Sequence, residues 1–86
     1  MKIKGIFEKE IFGDETVMVS LDSDIFNGII RANETASFII DCMREDTTPQ
    51  VVISKLSDKY NISLDLASRS VNSIISKLKV INVLEE

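Results

Sequence analysis

Ile29-Ile30-Arg31-Ala32-Asn33-Glu34-Thr35-Ala36 is the stretch at which the chain changes its period. Before it, apolar residues recur at every second position; after it, they recur at every third and fourth. A period of two sends side chains to alternate faces of a strand, and a period near 3.6 gathers them on one face of a helix. Asn33 stands at the changeover, with a short amide side chain suited to capping a first helical turn, and Glu34 follows at the positive end of that helix. The stretch predicts a short strand over 29–32 running directly into a helix.

On the N-terminal side, Ile3, Phe7 and Ile11 share one parity and Ile6 and Phe12 the other, while Val17, Val19 and Leu21 alternate with Thr16, Met18 and Ser20. These runs predict two strands, and the polar turn Gly13-Asp14-Glu15 between them predicts a hairpin. Asp22-Ser23-Asp24 and Asn27-Gly28 both signal a turn before the third strand. One wide loop over 22–28 is the favoured reading, and a tight turn at Asn27-Gly28 is the alternative.

On the C-terminal side, each helix carries start chemistry. The first has Asn33 as its cap and Ala36, Phe38, Ile39, Ile40 and Met43 as apolar positions through Arg44. Thr48-Pro49 is a cap followed by proline at the first helical position; Val52, Ile53, Leu56 and Tyr60 then form a buried stripe that Asn61 ends. Ser63 caps the third helix, in which Leu64, Ala67, Val71, Ile74, Ile75 and Leu78 fall within one face. Asn82 stands where a left-handed terminating residue belongs, and Val83-Leu84 is expected to fold back onto the core. Strands segregated from helices imply an α+β domain, a three-stranded antiparallel sheet followed by three helices. The helices must cover one face of so small a sheet, and at least one sheet edge stays open as a candidate binding surface.

Composition narrows the function. In 86 residues, 44% are apolar, and ten Lys/Arg face fourteen Asp/Glu for a net charge of −4. A chain of this length forms one domain, residues 1–86, with strands within about 2–32 and helices within about 34–81, and it has no room for a deep interdomain cavity. It contains no histidine, and Cys42 is its single cysteine. A Ser-His-Asp triad, a histidine-containing zinc site and an internal disulfide are thereby excluded. No cofactor and no metal site are expected, and a binding module rather than an enzyme is. No 18-residue apolar run occurs, and Glu8-Lys9-Glu10 interrupts the start of the chain where an export signal would need an uncharged core, so a cytoplasmic location and no membrane contact are expected. The acidic balance argues against phosphate-driven binding of nucleic acid. Cys42, among Ile39, Ile40 and Met43, reads as a buried thiol, and Glu8 and Glu10, two apart on a strand, read as a wet strand face.

The run Ile30 to Ala36, the helix start Thr48-Pro49-Gln50-Val51-Val52 and the terminal run Leu78 to Glu85 resemble the PqqD family, small peptide chaperones also called RiPP recognition elements. Asn33-Glu34-Thr35-Ala36 is the most specific piece. Ala32 stands where that family usually has leucine, and Asn82 where it usually has glycine. The resemblance implies a winged helix-turn-helix-like fold that binds the leader segment of a ribosomally made precursor peptide and presents it to a modifying enzyme, often a radical S-adenosylmethionine enzyme. It implies that the leader adds as a strand beside the third strand, with its side chains in a groove next to the third helix.

On that reading Phe26, Ile29, Ile30 and Arg31 contribute from the third strand, chiefly through the backbone, and proline at Ile30 is the expected way to block pairing. Alternation requires either Ile29 or Ile30 to face the core. Leu66, Ser70, Ile74, Lys77 and Ile81 fall along one flank of the third helix, apolar with a cation at its rim, which suits a peptide with apolar anchors and an acidic residue. The competing reading is that this flank packs on the first helix or on a second copy. The cations Arg69, Lys77 and Lys79 keep a winged-helix DNA-binding regulator as the alternative function, and the open edge keeps a self-associating scaffold as a third. Either a monomer or a homodimer is compatible with the sequence.

Overall fold

The computed structural model describes residues 1–5, 7–20 and 28–85. Its elements run β1 (Lys2–Ile3), β2 (Phe7–Phe12), β3 (Glu15–Ser20), β4 (Ile29–Asn33), α1 (Glu34–Cys42), α2 (Pro49–Tyr60), α3 (Leu64–Val80) and β5 (Leu84–Glu85). Strands β2, β3 and β4 form an antiparallel sheet in that order, the expected α+β arrangement of three strands followed by three helices. The loop expected over 22–28 lies, but for Gly28, outside the described residues, as do Ile6, Leu21 and Phe26.

The N-terminal segment departs from the sequence reading. Lys2–Ile3 does not extend the hairpin strand; it pairs with Leu84–Glu85 in a separate two-stranded sheet. Gly5, at φ 68°, turns the chain between the two strands in a conformation that a residue with a Cβ adopts at a cost. Backbone bonds from Ile3 N–H to Met43 O and from Lys4 N–H to Val83 O, both 2.8 Å, then fasten this segment to the ends of α1 and α3.

The β2–β3 hairpin closes through two residues, with Phe12 opposite Glu15. Gly13 takes φ 64° and Asp14 does not share the positive sign, the pattern of a turn with glycine at its first central position. Alternation then sorts the two faces. Phe7, Thr16, Met18, Ile30 and Ala32 turn toward α1, and all are buried except Ile30, which is half-buried. Val17 and Val19, although β-branched and apolar, lie on the helix-free face.

The expected caps form. Asn33 Oδ1 accepts from Ala36 N–H at 2.8 Å, Thr48 Oγ1 from Val51 N–H at 3.3 Å and Ser63 Oγ from Leu66 N–H at 3.1 Å. Asn61 (φ 52°) and Asn82 (φ 59°) terminate α2 and α3 in the left-handed region. At the second terminus Val83 N–H reaches Leu78 O and Asn82 N–H reaches Lys79 O, both 3.1 Å. That pair of bonds tucks Val83 against Leu78 and buries both. α1 stops at Cys42 rather than Arg44, because the Met43 and Arg44 N–H groups bond three residues back in a tighter turn.

Met18, Ile39, Met43, Val52, Leu56 and Val71 are fully enclosed where the sheet and the three helices meet. Leu64 departs from its expected place on the inner face of α3 and is 62% exposed: it occupies the first turn, ahead of the first buried residue, Ala67. Cys42 is half-buried rather than buried, and desolvation, with the neighbouring Asp41 charge, raises its pKa against the opposing Lys55. Among the described residues, no helix is long and apolar enough to cross a membrane.

Candidate functional site

A groove of about 590 Å³ runs between β4 and α3 with α1 as its floor. The chain builds it from three independent periodicities. β4 supplies one wall; Ile39 and Ile40 of α1 supply the base; Ser70, Ile74, Lys77 and Ile81, spaced three and four apart, supply the wall of α3. Seven of the nine residues singled out from the sequence line this groove: Ile29, Ile30, Arg31, Ser70, Ile74, Lys77 and Ile81. Leu66 does not. It lies near the start of α3, 49% exposed, outside the lining. Phe26 lies outside the described residues.

The sequence reading missed Ala32, Thr35 and Ala36, which widen the groove where β4 enters α1, and Ser73 and Leu78 on α3. Ser73 was within reach of the helical spacing, three residues after Ser70. The two alanines carried no signal, because a small apolar residue reads as core unless the neighbouring element leaves space above it.

The backbone of β4 has a definite polarity. Phe12 and Glu15 flank the two-residue turn, so this pair exchanges backbone hydrogen bonds, and each second pair along the hairpin does the same. Glu15, Val17 and Val19 therefore direct their N–H and C=O groups toward β2, and Thr16 and Met18 direct theirs toward β4. Their partners there are Ala32 and Ile30. The N–H and C=O groups of Ile29 and Arg31 consequently point away from the sheet. The same alternation aims the Phe7 carbonyl outward on β2, where it accepts from Arg44 Nη1 at 3.3 Å, as the register requires. The backbone of Ile30 is thus committed to β3, and the expectation that proline there would block an added strand selectively is corrected: it would break the sheet.

The two sheet edges differ in character. β2 carries Glu8-Lys9-Glu10, charges that discourage a second strand, and Lys9 forms an ion pair with Asp41. β4 carries two isoleucines and one cation, with its outward backbone facing the groove side. Among the described residues that line the groove, Arg31 and Lys77 are the only charged ones, both positive in a chain of net charge −4. Lys77 is exposed and makes no ion pair with any described residue.

A second cleft, about 480 Å³, lies on the other side of α1 beneath the hairpin. Its aromatic wall is an edge-to-face pair, Phe38 and Tyr60, with centroids 5.9 Å apart and the Lys59 ammonium over both rings. The β2 backbone at Lys9 and Ile11, which the register also turns away from the sheet, borders it, but its charges are mixed, Lys9 and Lys59 beside Asp14, Glu34 and Asp41, so it lacks the uniformly positive charge of the first groove's described lining. On α3, Arg69 forms an ion pair with Asp65 at 3.1 Å and Lys77 lines the groove. Among the described residues, no group of His, Cys, Asp or Glu has the arrangement of a metal site.

The family model described as Coenzyme PQQ synthesis protein D (PqqD) matches residues 15–84. Among solved structures, the chain is similar to TbiB1 in complex with the TbiA(beta) leader peptide, with a TM-score of 0.75 and 19% identity, covering 99% of this chain and 95% of that one. At that identity the likeness is one of fold. No curated protein matches the sequence.

Proposed function

The chain belongs to the PqqD family, and from that premise we propose that it is a non-catalytic peptide chaperone: it binds the leader segment of a ribosomally made precursor and presents the peptide to a modifying enzyme. The observation that carries the reading is the outward backbone of Ile29 and Arg31 beside a groove whose charged lining residues, among those described, are both cations. An extended peptide adding to β4 takes up those free main-chain groups, and every second side chain then faces the groove between β4 and α3. TbiB1, which shares the fold, is a protein in complex with a leader peptide, and this supports the same class of ligand here.

The chemistry sets the ligand's character. Ile30, Ile74 and Ile81 take apolar anchors, and Lys77 favours a carboxylate near them. Ordering a disordered leader costs several kcal/mol, so an affinity in the micromolar class with ready release suits a carrier.

A backbone-amide NMR titration with the leader of a candidate precursor tests the proposal. Shifts concentrated in residues 28–36 and 70–81 are the expected result. Shifts concentrated around Phe38 and Tyr60 would move the site to the second cleft, and broad shifts along α3 with duplex DNA but none with any leader would overturn peptide capture.

A further inference from the structure

We propose that the helix-free face of the β2–β3–β4 sheet is the docking surface for the enzyme that modifies the bound peptide, and that this enzyme meets it with basic side chains around an apolar patch. The inference rests on the peptide-capture reading and adds a second partner and a second surface to it.

The register lays this face out as three rows across the sheet: Glu8, Val19 and Ile29; Glu10, Val17 and Arg31; Phe12, Glu15 and Asn33. Three of its four apolar members are open to solvent, with Phe12 63%, Val19 44% and Ile29 59% exposed, and Val17 is half-buried. Three carboxylates stand against one guanidinium, and Arg31 approaches Glu15 at 3.9 Å, while Glu8 and Glu10 pair with no described residue. Alternation keeps Lys9 from neutralising them, because it turns to the opposite face and meets Asp41.

This charge is opposite to that of the groove. A peptide selected by Lys77 carries negative charge near its anchors and is repelled by Glu8 and Glu10, so the face suits a different partner of opposite sign. Its position favours the modifying enzyme. Ile29 and Arg31 belong to this face through their side chains and to the peptide-pairing edge through their backbones, so a protein seated on the sheet lies directly beside the captured strand. The array comprises nine residues, well below the roughly 20–30 residues per side of a standard stable interface. A contact of that size is transient, as repeated delivery requires.

The test uses the purified modifying enzyme of the same precursor and two double variants, Glu8→Lys/Glu10→Lys and Glu8→Gln/Glu10→Gln. Thermal melting reports that each remains folded, since both positions are exposed. Leader affinity, read by fluorescence anisotropy, is expected to stay within about twofold of the parent. Enzyme affinity is expected to fall about tenfold with the lysine pair and about threefold with the glutamine pair, and the parent's enzyme affinity is expected to weaken as salt rises. Unchanged enzyme affinity in both variants overturns the proposal. So does a parallel loss of leader and enzyme affinity, which would make the face part of the peptide site. Absence of leader binding by the parent would defeat the capture reading instead, and the enzyme comparison would still report on this surface.

Discussion

Lys77 shows how much a single position on α3 decides. The residues on either side of it along the groove wall, Ile74 and Ile81, are half-buried and pack against the core, so changes there mix binding with stability. Lys77 is exposed and lines the groove without an ion partner among the described residues. Lys77→Glu therefore isolates the electrostatic part of peptide selection. An exposed pair contributes about 0.2–1 kcal/mol, and reversal replaces attraction by repulsion, so a leader with a carboxylate nearby should bind roughly tenfold more weakly. The fold should stay within about 0.5 kcal/mol of the parent. Calorimetric titration with an acidic leader and with its amidated analogue separates the two: equal loss for both peptides would show that Lys77 acts by something other than charge, and no loss for either would remove it from the site.

At the scale of the element, β4 is where sequence and structure agree best and where the sequence also misled. The changeover at Asn33 was legible because capping chemistry and both hydrophobic periods meet there, and the cap forms at Asn33 Oδ1. Which parity of a strand faces inward was not legible. Val17 and Val19 are the more apolar set on β3, yet Thr16 and Met18 are buried, because the choice is made by α1 docking over Ile30 and Ala32 on the neighbouring strand. The two-stranded β1–β5 sheet was invisible for a related reason: two-residue strands have no periodicity, and their pairing joins opposite ends of the chain. The direction of the β4 backbone was likewise hidden until the hairpin register fixed it, and it yields a paired test. Arg31→Pro removes an N–H that points out of the sheet, whereas Ile30→Pro removes one that bonds to β3. The first should abolish most leader binding with a stability loss of about 1 kcal/mol; the second should cost about 3 kcal/mol or more and unfold much of the sheet. Similar melting curves for the two variants would show the register argument to be wrong.

Over the whole molecule, charge is partitioned rather than averaged: cations line the groove, carboxylates lie on the free sheet face, and a small network ties the far side of the sheet to α1. In that network Asp41 accepts from Lys9 of β2 and from Arg44 Nε at 2.9 Å, and Arg44 also donates to the Phe7 carbonyl. Partial burial works to raise the Asp41 pKa, but the hydrogen bonds and charges of Lys9 and Arg44 outweigh it, and the carboxyl lies below its ordinary 3.8. A carboxyl depressed by folding binds its proton more weakly in the native state than in the unfolded one. Its contribution is therefore fully present above the ordinary value and disappears as pH falls through the depressed one. About a third of the side chain is exposed, so solvent screening limits the contribution to about 0.5–1 kcal/mol. Asp41→Asn should lower stability by that amount at neutral pH and by progressively less as the solution is acidified below about pH 4, the two proteins converging once the parent's carboxyl is protonated. Urea melts of both across that range provide the measurement. A gap that persists undiminished at low pH would mean that Asp41 holds β2 to α1 through hydrogen-bond geometry that asparagine cannot reproduce, rather than through its charge.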